Sequence, residues 1–179
     1  MNNLSQATWV ELLKARRSKM PLLTFLAFLL IPFVGGFFMF VLKDPDLAHR
    51  LGVISLKAQI VAGSADWSTY MGILIQAVAI GGFILFSLIT SWVFGREYAD
   101  HTISDLLALP TPRSYIVLAK FFVVMLWSAI LMVIIYLIGL GVGAAIDLPL
   151  GSVEVFLRGT LTLAVTAVLT IALATPIAF

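Results

Sequence analysis

The stretch "IVLAKFFVVMLWSAILMVIIYLIGLGVGAAI", Ile116–Ile146, contains a single charged residue, Lys120. About 20 predominantly apolar residues are needed for a helix to cross the hydrocarbon core of a bilayer, and this stretch exceeds that length. In lipid the backbone polar groups must be hydrogen-bonded within the segment, so long apolar runs are predicted as helices. Three other runs qualify. The sequence therefore predicts an all-α, polytopic membrane protein, one transmembrane domain over residues 1–179, with spans at 20–42, 70–94, 116–146 and 155–179.

Composition supports this fold class and excludes several functions. The chain is 61% hydrophobic and 11% charged, about half the charged fraction of a soluble domain. It has no cysteine, which excludes disulfides, thiol catalysis and zinc–thiolate sites. A net charge of +2 is too small to indicate a nucleic-acid partner. Because no HExxH, GxSxG or GxxxxGK[ST] motif occurs, we predict that the chain is not an enzyme and binds no cofactor or metal of its own.

The distribution of basic residues predicts the orientation. Seven basic residues flank the N-terminus and the second connection, and four flank the other side: Lys14, Arg16, Arg17, Lys19, Arg96, Arg113 and Lys120 against Lys43, Arg50, Lys57 and Arg158. Lys and Arg are retained on the cytoplasmic side, so we expect a cytoplasmic N-terminus in a plasma or inner membrane.

The N-terminal segment 4–19 is predicted as an amphipathic helix lying in the cytoplasmic interface. Thr8 and Glu11 fit a capping box at its start. Trp9 falls on the apolar side of the helical wheel, at headgroup depth, and Glu11 and Lys14 fall on the opposite side, with the basic residues expected near anionic membrane lipid. A simple basic tail that only sets topology is the alternative.

Within the spans, few polar residues stand out. Gln76 is the amide in mid-span, and it is interpreted as a residue that hydrogen-bonds to a neighbouring helix rather than as a substrate ligand. Thr162, Thr166 and Thr170 recur every fourth residue and predict a packing seam, with the polar wall of a translocation path as the alternative. Lys120 is expected to extend its ammonium group to the cytoplasmic surface.

The third span contains Gly139-Leu140-Gly141-Val142-Gly143 near its outer end. This GxxxG spacing is a weak packing signal, since glycine is frequent in membrane helices.

The segment 95–113 interrupts the apolar pattern with charge. On a helical wheel from Glu97 to Leu109, apolar and polar side chains occupy opposite halves, and Pro110 ends the helix. Gly95 is expected to let the chain turn as it leaves the second span. The sequence predicts a cytoplasmic amphipathic helix that either couples a partner to both spans or only fills a loop. His101 and Glu97 could share a face of it, but two such side chains do not make a metal site.

The stretch "WVFGREYADHTISDLLALPTPRSYIVLAKF", Trp92–Phe121, resembles the segment between the second and third spans of type-2 ATP-binding-cassette exporter permeases of the multidrug or antibiotic type. The resemblance implies a coupling helix that docks an ATPase subunit. Carried onto this sequence, the docking residues are Gly95, Arg96, Glu97, Asp100, Thr102, Ile103, Leu106, Leu107, Pro110 and Arg113.

The same resemblance implies the partners. These are two copies of a cytoplasmic ATP-binding subunit, which hold the ATP and Mg²⁺, and a second permease copy or a sister permease. Such permeases usually have six spans, so the ending in Thr175-Pro176-Ile177-Ala178-Phe179 is interpreted as a truncation. The competing functions are a membrane scaffold that recruits another cytoplasmic partner and an ion-coupled carrier. Few ionisable residues lie within the spans, which counts against the carrier. No residue identifies the substrate.

Overall fold

The computed structural model describes residues 3–44, 64–102, 112–149 and 151–177, and within these ranges the chain is almost entirely helical. The helices are α1 (Asn3–Arg17), α2 (Met20–Lys43), α3 (Trp67–Ala77), α4 (Phe83–Ala99), α5 (Arg113–Ala145) and α6 (Val153–Ile177), with a π-helical turn, Val78–Gly82, between α3 and α4. Four helical segments are long and apolar enough to cross a membrane: α2, the continuous α3–α4 segment, α5 and α6. They confirm the predicted four-span all-α fold.

The bundle is organised around α5 and the second span. α1 and α2 both pack along α5, and α6 packs along the second span, including its π-helical turn. Tyr70, Phe28, Phe86 and Leu131 are among the fully buried side chains at the centre. In contrast, α2 presents a row of exposed leucine and phenylalanine side chains outward. Such a surface is unfavourable in water but suits the hydrocarbon core of a bilayer.

Successive spans run in opposite directions, so the bundle has two ends. The end that carries α1, the last turn of α4 and the first turns of α5 is called the α1 end here. The opposite end carries Lys43, Asp66 and Asp147.

At that opposite end the Asp66 carboxylate caps α3 by accepting a hydrogen bond from the Thr69 backbone N–H at 2.8 Å. The same carboxylate also accepts a hydrogen bond from the Ser64 hydroxyl at 2.6 Å. Burial acts to raise the pKa of Asp66, but these hydrogen bonds outweigh it and hold the pKa below its usual value.

The second span departs from the sequence prediction at its α1 end. Gly95 lies inside α4 rather than at a turn, and the helix continues to Ala99. It ends in a Schellman motif: the Thr102 backbone N–H donates to the Glu97 carbonyl at 3.0 Å, and the His101 N–H donates to the Tyr98 carbonyl at 3.3 Å. His101 has a φ of 54°, so the helix predicted from Glu97 to Leu109 is wrong as a single helix. Residues 103–111 of that helix lie outside the described residues.

The capping box predicted in the N-terminal segment is also wrong. Helix α1 already includes Asn3, and the Thr8 hydroxyl donates to the Leu4 carbonyl from within the helix. Thr8 therefore lies in the interior of α1, where a Ser or Thr side chain commonly bonds to the carbonyl four residues before it.

Glycine packing in the third span follows the GxxxG spacing. A Cβ added to Gly139 would come within 3.0 Å of the Leu74 side chain, and one added to Gly143 would come within 2.5 Å of the Trp67 ring. A Cβ added to Gly141, on the other face of the helix, would have no neighbouring atom within 4 Å. The seam between α5 and α3 therefore depends on the absence of side chains at Gly139 and Gly143.

Lys43 links the ends of α2 and α5 at the opposite end of the bundle. Its Nζ donates to the Ile146 carbonyl at 2.8 Å and to the Asp147 carbonyl at 3.1 Å. We expect Lys43→Met to lower the free energy of unfolding by about 1 kcal/mol, because these carbonyls at the C-terminal end of α5 lose a cationic donor. Unfolding with SDS in mixed micelles measures this, with Lys19→Met as the control of equal charge at the α1 end. Equal stability of the two variants would contradict the prediction.

Candidate functional site

A buried cluster of four charged side chains lies at the α1 end: Glu11 and Lys14 of α1, Glu97 of α4 and Lys120 of α5. We call it the charge cluster. Glu97 and Lys120 are each 4% exposed and Glu11 is 6% exposed, whereas Lys14 is partly exposed. Two carboxylates and two ammonium groups balance each other, which is the condition under which charge is tolerated in a protein interior.

Lys120 is at the centre of the cluster. Its Nζ donates to both carboxylate oxygens of Glu97, at 2.6 and 2.7 Å, and to the Val93 carbonyl at 2.9 Å. Glu11 Oε2 lies 3.4 Å from the same nitrogen. All donor capacity of the ammonium group is thus used within the protein. The expectation that Lys120 extends to the membrane surface is wrong, because its ammonium group is buried and bound by two carboxylates and a carbonyl.

Lys14 closes the cluster from α1. Its Nζ lies 2.8 Å from Glu11 Oε1 and 3.3 Å from Glu97 Oε1. The side of α1 that carries Glu11 and Lys14 therefore faces the bundle, whereas the sequence pattern predicted that its basic residues lie near anionic lipid. Trp9, on the other side, is exposed as expected for a side chain that meets lipid. The correction has a physical reason: the charged side of α1 finds complementary charges on α4 and α5.

The other predicted docking residues that the structure describes are Gly95, Arg96, Asp100, Thr102 and Arg113, next to the charge cluster. Arg96 is half-buried, with its guanidinium 5.2 Å from the centre of the Trp92 ring and its Nε 3.9 Å from Asp100 Oδ2. Gly95, Asp100, Thr102 and Arg113 are exposed. Ile103, Leu106, Leu107 and Pro110 lie outside the described residues.

Glu97 and His101 are separated by the end of α4. Glu97 points into the charge cluster, whereas His101 is exposed beyond the last helical turn. Among the described residues no group of three or more His, Asp or Glu side chains is placed to hold a metal ion.

The polar residues predicted within the spans are spread over different surfaces. Gln76 is exposed on the outer face of α3 and forms no side-chain hydrogen bond with the described residues. Thr162 is exposed, and its hydroxyl donates to the Arg158 carbonyl. Thr166 is half-buried and Thr170 is buried, with Thr170 packed beside Gly82 in the π-helical turn. The structure thus places Thr170 in a packing seam with the second span and leaves Thr162 facing outward.

The charge cluster shows which functional residues the sequence analysis missed. Glu11 and Lys14 were assigned only to the polar face of an interfacial helix, although their i, i+3 spacing is that of an ion pair on a helix. A further signal was Lys120, a lone cation inside a long apolar run, since an ionisable residue within a span is a functional candidate. Of the four residues of the charge cluster, Lys120 is the one that lies within a predicted span.

Comparison with known proteins identifies the family. The family model described as "ABC-2 family transporter protein" matches residues 7–179. This chain belongs to the ABC-2 transporter family. The match confirms the resemblance found in the sequence, and it covers α1 from its second turn and all four spans of this ABC-2 chain.

One curated relative shows a more limited similarity. The bacitracin transport permease protein BCRB of Bacillus licheniformis is 33% identical over 63 residues, which cover 35% of this chain and 27% of that relative. No solved structure matches. The ABC-2 chain is therefore a multi-pass transporter permease component.

Proposed function

We propose that this chain is a transmembrane subunit of an ATP-driven exporter, with the α1 end in the cytoplasm and with ATP hydrolysed by a separate subunit. The observation that carries the proposal is the charge cluster, which joins α1 to the second and third spans beside the connection that resembles an ATPase-docking segment. Membership of the ABC-2 family and the excess of basic residues at this end support it.

The charge cluster gives the proposal a mechanical basis. Lys120 joins α5 to α4 through Glu97 and to α1 through Glu11, and Lys14 joins α1 to α4. Sliding one of these helices past the others would separate buried opposite charges, which costs several kcal/mol. The three helices therefore move as one unit. Displacement of the connection between α4 and α5 by a docked ATPase subunit would be passed to the second and third spans together.

Exposed residues next to the charge cluster supply the docking contacts in this proposal. Arg113 begins α5, and Asp100 and Thr102 end the second span, so all three flank the connection 103–111. Charged residues at an interface fix register and partner choice. Glu97 is assigned a different role from the one the family resemblance implied: it holds the helices together from inside rather than contacting the partner.

Charge reversal at Arg113 tests the docking surface. We expect Arg113→Glu to weaken retention of the ATPase subunit about tenfold, because a like charge placed at an interface opposes binding. Arg158→Glu is the control of equal charge change, since Arg158 is exposed in the first turns of α6, at the opposite end of the bundle. The measurement is co-purification of the permease with a co-expressed ATP-binding subunit from the same organism, at equal expression.

The outcomes separate the competing functions. Loss of the ATPase with Arg113→Glu and retention with Arg158→Glu support the exporter. Equal retention by both variants removes Arg113 from the docking surface. If the unsubstituted protein retains no ATPase, and transport follows an ion gradient without ATP, the chain is a carrier. Absence of both an ATPase and transport favours the membrane scaffold.

A further inference from the structure

A groove between α1 and α5 has the shape and polarity of a lipid site. It is lined by Leu12, Ala15 and Arg16 of α1 and by Val123, Leu126 and Ile130 of α5, and it encloses about 420 Å³. This volume is within the range of about 300–1,000 Å³ typical of small-molecule sites. We call it the α1–α5 groove.

The walls of the groove are apolar along its length. The Trp127 ring also lines it, and the Trp127 indole N–H is already donated to the Thr24 hydroxyl at 3.1 Å. From Val123 to Ile130 the wall is about 10 Å long, which is about two-thirds of the hydrocarbon depth of one leaflet. A hydrocarbon chain would bury its surface here without leaving a polar group of the wall unpaired.

The charge at the groove is confined to one rim. Arg16 is the charged residue of the lining, and it is exposed. No carboxylate among the described residues lies within 4 Å of its guanidinium. Arg17, the last residue of α1, and Lys19, in the turn before α2, follow it and are also exposed. A guanidinium binds a phosphate in a planar, bidentate manner, so this rim is suited to a phosphodiester.

We propose that the α1–α5 groove binds one anionic phospholipid, with its phosphate on Arg16 and one acyl chain along Val123, Leu126 and Ile130. A long apolar wall with one cationic rim matches this amphiphile. The occupant would seal the outer side of the α1–α5 contact, whose inner side is formed by Glu11 and Lys120. The lipid would thereby stabilise the packing of α1 on the bundle.

Lipid titration of the purified full-length protein tests the assignment. In detergent, phosphatidylglycerol is expected to raise the Tm more than phosphatidylcholine does, and inorganic phosphate is expected to leave the Tm unchanged. Arg16→Gln should weaken the apparent affinity for phosphatidylglycerol about fivefold, because the direct contact between the guanidinium and the phosphate is lost. Arg17→Gln removes the same charge from the adjacent position, which does not line the groove, and should keep the wild-type affinity.

A labelling experiment locates the acyl chain independently of stability. Because the chain has no cysteine, Leu126→Cys and Met125→Cys each give a single reactive site. Both side chains are exposed, but Leu126 lines the groove and Met125 does not. Phosphatidylglycerol is expected to slow maleimide labelling at position 126 and not at position 125.

Three outcomes would overturn the proposal. Equal loss of affinity in Arg16→Gln and Arg17→Gln would show only a general surface charge effect. Equal protection of position 126 by phosphatidylcholine would remove the headgroup selectivity. Protection of position 126 without added phospholipid, rising with protein concentration, would assign the groove to a second copy of the chain.

Discussion

Lys120→Met is expected to lower the free energy of unfolding by about 3–5 kcal/mol, because it leaves the Glu97 carboxylate buried without its main partner. Glu97 receives two short hydrogen bonds from Lys120 and a single contact of 3.3 Å from Lys14. The single contact from Lys14 cannot replace both hydrogen bonds from Lys120. The measurement is SDS unfolding of the purified protein in mixed micelles, read by helical circular dichroism.

The matched control is Lys14→Met, which removes the same charge from the partly exposed edge of the charge cluster. It should cost less than Lys120→Met, because Glu11 and Glu97 both keep their contacts with Lys120. A double variant, Glu97→Gln with Lys120→Met, removes one charge of each sign and keeps the Glu11–Lys14 pair. Its destabilisation is expected to be smaller than the sum of the two single effects by at least about 1 kcal/mol. Additive effects would show that Glu97 and Lys120 do not interact.

Gly143→Ala is expected to destabilise the bundle by about 1–3 kcal/mol relative to Gly141→Ala. The new methyl group would lie 2.5 Å from the Trp67 ring, which cannot move away freely. Phe156 packs against that ring with a centroid distance of 4.9 Å, and Tyr70 packs at 6.0 Å. Both variants gain the same helix propensity of up to about 1 kcal/mol, so their difference isolates the overlap with Trp67.

The same unfolding assay applies to both glycine variants. Gly141→Ala, whose methyl group meets nothing within 4 Å, should be as stable as the unsubstituted protein or slightly more stable. If Gly143→Ala matches it, α3 and α5 are not in close contact at this level. The two positions lie two residues apart in one helix, so the variants differ in the face of α5 that carries the new methyl group.

Apolar run length was sufficient to predict the number of spans and the fold class. This succeeded because a bilayer imposes a minimum helix length and leaves no alternative backbone structure for an uncharged run. The segment from Trp92 to Phe121 similarly carried the family resemblance, which the family match over residues 7–179 confirms. Gly139 and Gly143 were recognisable as a packing motif, although their partners Leu74 and Trp67 were not.

The helix ends and the orientation of the charged faces could not be predicted from run length or from local motifs. The Schellman motif at His101 was missed because the left-handed position is held by histidine rather than glycine. The π-helical turn Val78–Gly82 has no signal in apolar periodicity. The charged side of α1 was assigned to the membrane interface, because a helical wheel separates polar from apolar faces but does not say what lies opposite the polar face.

What the sequence by itself determined was a four-span helical membrane protein of the ABC-2 type, since hydrophobic length and a local motif are properties of contiguous residues. Only the tertiary structure decided that Glu11, Lys14, Glu97 and Lys120 form one buried cluster and that Arg16 lies at the rim of an apolar groove. The reason is that Coulomb attraction and burial depend on distances between residues that are up to 109 positions apart in the chain.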